Sequence, residues 1–424
     1  MLLRFTAKNF LSLKGTAELS LVASSLKEQS ECTIPTRYAK YGVVPVVVIY
    51  GANASGKSNV LGALELLRSM VLRSFTQGEE GRALPYKPFA LDGEGAKAPT
   101  EFVLDFVLED VRYQFGVQYD KERVIEEWLL AFPKAVQQTL YARVFRDGAE
   151  EYHFSRQLSG SNKQIQSITR PDSLFISVAA KSNHALLTKI SDYFRTKISC
   201  VAVSASSNPL GVADVLHGND ALTNRVLEYL KEADTGIADV KIEDYVVPDE
   251  FKSDLDDILK ALKKFSGNVK FSEKNKKLSL GHLTGDGNIV FLDYADESMG
   301  THYLMSLLPH MLKTLDAGGT LVLDEITTGL HTLLAQKLVG IFMSRDTNPH
   351  GAQLVFSTHD TNLLSPGVLR RDSIWLTEKS AGGVTTVYPL TDIKTKNTDN
   401  IERGYIQGRF GAIPVLPERT EPLT

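Results

Sequence analysis

The chain has 424 residues, 43% of them hydrophobic, and carries 47 Lys and Arg against 51 Asp and Glu for a formal net charge of −4. That length buries a large core and allows two or three lobes, while the charge excludes a globally basic nucleic-acid binder and leaves room only for a local basic patch. Two cysteines, Cys32 and Cys200, lie far apart in the sequence, which excludes a zinc pattern or a disulfide framework and leads to the expectation of a reducing cytoplasm.

In chain order, the opening MLLRFTAKNF lacks the continuous apolar core of a secretory leader, and no run approaches the roughly 18 apolar residues that span a bilayer, so no membrane is expected. Residues 2–10 and 16–22 alternate apolar and polar side chains, predicting two short strands with a turn at 13–15. Residues 23–41 are polar and irregular. The β-branched run at 43–50 then enters GANASGKSN at 51–59, and helical spacing of Val60, Leu61, Ala63, Leu64 and Leu67 follows at once. Strand, glycine loop and helix in that order are the context of a phosphate-binding loop. Gly51 and Gly56 let the backbone form a nest of inward N–H groups, to which the helix N-terminus adds partial positive charge. Lys57 is expected to reach the β- and γ-phosphates, and Ser58 to hold Mg²⁺ through its hydroxyl. ATP and Mg²⁺ are the expected cofactors, with Gly51, Asn53, Ser55, Gly56, Lys57, Ser58 and Asn59 as candidate contacts.

The helix is expected to reach Arg73, and a Gly/Pro-rich loop to fill 77–99. Residues 101–107 and 112–119 alternate about Glu109 and Asp110, predicting an antiparallel hairpin, with 124–132 and 139–146 as further strands of one sheet. Helical patterns take over at 174–180, 185–194, 220–234 and 249–265, without the sustained heptads of a long coiled-coil arm. Lys263, Lys264, Lys270, Lys274, Lys276 and Lys277 read either as a solvated helix end and hairpin or as a phosphate-tracking patch. Beyond residue 288, helices at 299–315 and 333–344 alternate with strands at 320–323, 353–357 and 373–377, which implies a parallel sheet covered on both faces. Residues 404–414, rich in glycine and aromatics, are expected to be a packed loop.

Two strand ends carry chemistry. GGTLVLDE at 318–325 is an apolar strand closed by two acids. At the carboxyl end of a parallel strand beside the P-loop, Asp324 is suited to ordering Mg²⁺ and its waters, and Glu325 to polarising an attacking water. QLVFSTHD at 353–360 ends in His359, whose imidazole can hydrogen-bond the γ-phosphate. Ser298 and Gly300, in ESMGT before an apolar helix, form a cap suited to phosphate.

The order P-loop, Ser-x-Gly cap, Asp-Glu strand and His strand resembles the ABC-type ATPase head, in the branch of soluble heads that includes RecF, Rad50, SMC and OLD proteins. That resemblance implies an α/β fold: a P-loop ABC-type head with a mostly parallel sheet, an antiparallel β lobe and a helical insertion, divided at 1–180, 181–287 and 288–424. It implies that Lys57 and Ser58 hold nucleotide and Mg²⁺, that Asp324 and Glu325 serve metal and water, and that His359 senses the γ-phosphate. Ser298 and Gly300 would act in trans in a homo-oligomer, at least a dimer, with residues 327–331 across the seam. The signature departs from the family's Leu-Ser-Gly-Gly-Gln, and the family's metal-binding glutamine is left unassigned in the 77–91 loop.

Residues 8–10, 19–24, 50–59, 127–129, 297–301 and GRFGAIP at 408–414 further resemble bacterial AAA-type ATP/GTP phosphatases of the AbiL/RloA kind, linked to abortive infection and restriction loci. The kinship spans nearly the whole chain. It implies a two-gene anti-phage system in which the ATPase partners a separate effector from the adjacent gene, such as an RloB-like or Toprim-like nuclease. The alternative is a DNA-repair head of the RecF or Rad50 kind that binds nucleic acid. A transporter motor is disfavoured by the divergent signature and extra lobes, and a GTPase by the lack of an Asn-Lys-x-Asp motif.

Overall fold

The computed structural model describes residues 1–79, 84–201, 209–246, 274–396 and 398–414. The helix expected at 249–265, with Lys263, Lys264 and Lys270, lies outside the described residues. Contacts divide the chain into two units. One comprises Met1–Ala202, Thr314–Thr327 and His331–Thr424, the other Val203–Lys313 with Thr328–Leu330. The second unit thus begins and ends later than the insertion expected at 181–287.

In the first unit, β1 (Leu2–Lys8) and β2 (Ala17–Ser20) pair antiparallel. The irregular segment expected next contains a small hairpin, β3 (Ile34–Thr36) and β4 (Ala39–Val43). The apolar run read as one strand is divided by Pro45, which has no N–H to give a ladder, so β5 spans Val46–Gly51. All of β5 is buried, as a central parallel strand covered on both faces must be. Helix α1 (Lys57–Glu79) follows and runs past the expected end at Arg73.

Strands β6 (Thr100–Leu108), β7 (Val111–Tyr119), β8 (Val124–Phe132) and β9 (Gln138–Arg146) stand where the alternation predicts them, joined at the edge by β10 (Ala149–Phe154). With β1 and β2 they form a seven-stranded sheet in the order β10-β9-β8-β7-β6-β1-β2. The β6–β7 turn places Glu109 and Asp110 at φ of 48° and 57°. Two consecutive positive φ values give the type I′ geometry whose twist matches the flanking strands.

Helices α2 (Asn162–Ile168), α3 (Phe175–Lys181) and α4 (Ala185–Thr196) lead to a short strand β11 (Ile198–Val201). In the second unit the expected helix at 220–234 is α6 (Asp220–Glu232), preceded by α5 (Pro209–Leu216). An antiparallel sheet accompanies them, built from β12 (Ile237–Val246), β13 (Lys274–Leu283) and β14 (Ile289–Asp293). Lys276 and Lys277 of the lysine run sit on β13, paired with Asp214 and Asp293. Helix α7 spans Met299–Ala317.

The chain then completes the second sheet of the first unit with β15 (Thr320–Leu323), α8 (Thr332–Met343), β16 (Gln353–Ser357), β17 (Ile374–Lys379) and β18 (Thr385–Pro389), and ends its described part in α9 (Ile401–Ile406). The order is β11-β15-β16-β5-β17-β18, parallel except for the β17–β18 pair. The fold is therefore the expected α/β P-loop head, with a mostly parallel sheet and an antiparallel lobe. The two sheets share one core with α1, which buries Val60, Leu61, Ala63, Leu64, Leu67, Met70 and Val71 at the i, i+3, i+4, i+7 spacing of an amphipathic helix. The Gln353 amide, fully buried, also bridges the sheets, accepting from Leu2 N at 2.7 Å and donating to Leu2 O at 2.9 Å.

A buried ionic cluster ties α3 to the antiparallel sheet. Glu127 on β8 and Arg143 on β9 face each other in register, and both are inaccessible to solvent. The Glu127 carboxylate accepts from Phe175 N at 2.7 Å, Ile176 N at 3.0 Å and the Tyr141 hydroxyl at 2.8 Å. It thereby caps the otherwise orphaned N–H groups of α3 and meets the positive end of its dipole. Arg143 donates to Ser173 O at 2.7 Å and to Glu150 at 2.8 Å. The Ser74 hydroxyl on α1 accepts from Leu174 N at 3.1 Å, so the P-loop helix joins the same cluster. Replacing Glu127 with Ala leaves a buried guanidinium short of its carboxylate and two N–H groups unpaired. The expected loss is about 3–5 kcal/mol in urea unfolding, and a loss below roughly 1 kcal/mol would show that the cluster does not hold α3 in place.

Candidate functional site

Strand β5 ends at Gly51 and α1 begins at Lys57, so residues 52–56 must reverse the chain at once. They do so with Ala54 at φ 60° and Gly56 at φ 110°. The loop also lies hard against the neighbouring strand pair. A Cβ on Gly51 would stand 2.2 Å from Thr377 Oγ1, and one on Gly56 would stand 2.3 Å from Thr385 Oγ1. Both glycines are thus required by close approach.

Beneath the loop runs a layer of hydroxyls. Ser55 Oγ is 2.6 Å from Thr377 Oγ1, while Thr385 Oγ1 is 2.7 Å from both Ser55 O and Ser12 Oγ. Asn59 Nδ2 donates to Ser12 Oγ at 2.6 Å. Two residues expected as nucleotide contacts, Ser55 and Asn59, therefore use their side chains to seat the loop. Asn53 and Ser58 are exposed at its surface. Lys57 is 6% exposed, and its ammonium donates to Gly51 O at 3.0 Å and Ala52 O at 3.1 Å. Burial lowers its pKa, against an opposing pull from Glu325 and Asp324. A cation partly stripped of water and held by two backbone carbonyls at a helix N-terminus suits a polyphosphate.

The acid pair follows β15. The sequence reading set this strand beside the P-loop strand, but β16 lies between them. The crossover through α8 lays β16 on β15, and β5 takes the other edge of β16. Because these strands are parallel, their carboxyl ends still share one edge of the sheet, where Lys57, Asp324, Glu325 and His359 gather. Ser357, the last residue of β16, organises the acids. Its Oγ donates to Asp324 Oδ1 at 2.5 Å and accepts from Glu325 N at 2.9 Å. Glu325 is held at φ 62°, a left-handed conformation rare for a side chain of its size. Thr327 Oγ1 donates to Glu325 Oε1 at 3.1 Å and lies 2.8 Å from Thr358 Oγ1. The other oxygen, Oε2, is 3.7 Å from His359 Nε2. Burial, then the Lys57 charge, lowers the His359 pKa despite Glu325 and Asp324. That direction favours the neutral ring, which has one N–H to donate.

Asp360 closes this edge. Its carboxylate accepts from Thr332 Oγ1 at 2.8 Å, and its carbonyl accepts from the Tyr50 hydroxyl at 2.8 Å. Tyr50 packs on Tyr405, ring centroids 5.4 Å apart. The 404–414 segment, expected as a packed loop, opens in α9 and is bound at Ala412 N by Glu378 Oε1 at 2.7 Å and at Phe410 O by the Tyr388 hydroxyl at 3.0 Å.

Ser298 and Gly300 belong to the second unit. Ser298 caps α7, its Oγ accepting from Thr301 N at 3.1 Å, and Gly300 passes so near Gly329 that a Cβ would stand 2.9 Å from its carbonyl oxygen. The preceding Glu297 is held by His282 Nε2 at 2.7 Å. Sequence reasoning missed Ser357, Thr327 and Thr358 as organisers of the acids. For Ser357 and Thr358 the signal was the polar end of an otherwise apolar strand, QLVFST, and for Thr327 its place two residues after Glu325. Ser12 and Thr385 have none, because their partners are far away in sequence.

Among the described residues no three His, Cys, Asp or Glu side chains gather as a metal cage. Mg²⁺ needs no such cage, because it keeps most of its waters and binds phosphate oxygens; Ser58 and Asp324 are the candidate oxygen donors. No described helix is long and apolar enough to cross a membrane.

The geometry at Glu325 gives a direct test. Glycine adopts φ 62° without strain, whereas a β-branched residue resists it. Glu325→Gly should match or exceed the wild type in urea unfolding, while Glu325→Val should lose about 1–2 kcal/mol; equal stability of the two would refute the strained turn.

Two solved structures align with the chain at low identity. One is an SMC head bound to the C-winged helix domain of ScpA, with 13% identity over 91% of this chain and 96% of that one and a TM-score of 0.40. The other is a dimeric ATP-binding cassette in a post-hydrolysis state bound to ADP and Pi, with 14% identity over 85% and 89% and a TM-score of 0.26. No curated protein matches the sequence. Residues 46–365, well over half of the chain and including the P-loop, the acid pair and His359, match the family model described as "AAA domain, putative AbiEii toxin, Type IV TA system", and the chain belongs to that family.

Proposed function

We propose that this protein hydrolyses ATP at a site completed by a second copy of itself, and that it thereby controls a separate effector in a cytoplasmic anti-phage system of bacteria. The reading rests above all on one observation: a buried P-loop lysine, an acid pair braced by Ser357 and the imidazole of His359 meet at one edge of a parallel sheet.

When bound with ATP, Mg²⁺ supplies charge neutralisation at the phosphate oxygens, and Ser58 and Asp324 are the residues to hold it. Lys57 exchanges the carbonyls of Gly51 and Ala52 for phosphate oxygens, so its charge costs little to reorganise. Glu325, steadied by Thr327, accepts a proton from the attacking water while Ser357 fixes the backbone beneath it. His359 donates its N–H to the γ-phosphate and registers its loss on hydrolysis. Ser298 and Gly300 complete the site in trans, with 327–331 along the seam. A single copy then lacks part of its catalyst, and turnover follows assembly. The family description and the resemblance to AbiL/RloA proteins support the defence role, with an RloB-like or Toprim-like nuclease from the adjacent gene as effector.

Lys57→Ala should abolish nucleotide binding in calorimetry. Glu325→Gln should bind ATP but lower the hydrolysis rate roughly 10²–10⁴-fold, and its mass in light scattering should rise on adding ATP and Mg²⁺, alone or with the adjacent gene product. An undiminished rate in Glu325→Gln would overturn the assignment of the base. A constant monomer mass under every condition would overturn the role of Ser298.

A further inference from the structure

On the first unit, away from the P-loop edge, α1, α3 and α4 enclose a cavity of about 460 Å³. We propose that it binds phosphate groups of a second ligand, supplied by a nucleic-acid backbone or by a free polyphosphate. Arg68, Arg73, Lys181 and Arg195 line it, with Asp192 as the one carboxylate of the lining. Four cations in one concavity stand out in a chain whose net charge is −4. The volume is that of a small-ligand site, and the other lining groups are mostly hydroxyls and an amide, able to donate to phosphate oxygens.

These cations are not accounted for by the fold. Arg73 and Lys181 are exposed and pair with no carboxylate among the described residues. Arg195, exposed, meets the half-exposed Asp192 one helical turn away, and such a surface pair contributes little. Arg68 is different. Its Nε donates to Phe194 O at 2.9 Å and its Nη2 to Arg195 O at 3.4 Å, at the C-terminal end of α4, where a cation is favoured. Those bonds hold the guanidinium in one pose and leave Nη1 for a ligand. A prepositioned arginine flanked by mobile cations fits the oxygens of phosphate better than a lone carboxylate, because several guanidinium and ammonium donors are shared among one group's oxygens.

The site is separate from the nucleotide loop. Arg68 lies eleven residues beyond Lys57 on α1, roughly 16 Å along the axis at 1.5 Å per residue. A ligand here would nonetheless press on the helix whose first turn carries Lys57 and Ser58. The inference goes beyond the ATPase reading and stands whether or not ATP is hydrolysed.

The test uses the full chain, wild type and Arg73→Glu/Lys181→Glu, with a short labelled DNA duplex followed by fluorescence anisotropy across a salt series, and with tripolyphosphate followed by calorimetry in saturating ATP. A fluorescent ATP analogue serves as the control for folding, and its binding should be equal in both proteins. The wild type should bind at least one probe, and the charge reversal should weaken that binding at least about tenfold, lowering the duplex salt slope by roughly two. Arg73→Lys/Lys181→Arg should retain it. Charge-dependent binding of the duplex identifies a nucleic-acid backbone as the source, and of tripolyphosphate alone a free polyphosphate. If neither probe binds, or the reversal leaves binding unchanged while the ATP analogue binds normally, the cavity is not a phosphate site.

Discussion

The loop at residues 51–58 rests so closely on the hydroxyls of Thr377 and Thr385 that one added methyl at Gly51 or Gly56 would overlap an oxygen. Two glycines, Ser55, Asn59 and Ser12 are committed to that contact. Its consequence is preorganisation: these contacts hold the loop and the first turn of α1 in place, so a ligand at the candidate site need not order them. Lys57 completes the arrangement at a cost, since it is desolvated and satisfied by two backbone carbonyls.

The same logic governs the acids. Glu325 is kept in a left-handed turn whose energy would be lower with glycine, and Ser357 and Thr327 brace it there. Local strain of this kind persists only where surrounding contacts over-determine it. Ser357 serves both acids at once, so the last hydroxyl of β16 sets the spacing of Asp324 and Glu325. Packing alone would place a small apolar residue at that buried strand end.

Helix α1 is the element that the rest of the first unit shares. Its apolar face fills the core between the sheets, Ser74 joins it to the Glu127–Arg143 cluster through Leu174, and Arg68 grips the end of α4. A buried ion pair is weak evidence for stability by itself. Here the carboxylate also satisfies two N–H groups of α3, which apolar substitutes could not do. The helix that begins at the candidate nucleotide site is therefore locked to the antiparallel lobe by polar bonds that tolerate little slippage.

The amino-acid sequence by itself determined those features whose physics is local. The P-loop was legible because strand, glycine loop and helix follow one another within a single stretch, and β15 and β16 because strands buried on both faces are apolar along most of their length. The β6–β7 hairpin was legible because one buried face imposes a period of two. Where burial is absent the pattern fails. β10 alternates only between exposed and half-exposed residues and so left no hydrophobic signature, while β14 is apolar in sequence, IVFLD, yet exposed along its whole length, so there apolarity does not report burial. Tertiary structure alone decided the rest. It set β16 between the acid strand and the P-loop strand, because periodicity fixes which face of a strand is buried but not which strand lies beside it. It gave the side chains of Ser55 and Asn59 partners that seat the loop, because Thr377, Thr385 and Ser12 reach it from the far ends of the chain. It also gathered Arg68, Arg73, Lys181 and Arg195 around one cavity, since charges on separate helices become a site only when packing faces them toward a common space.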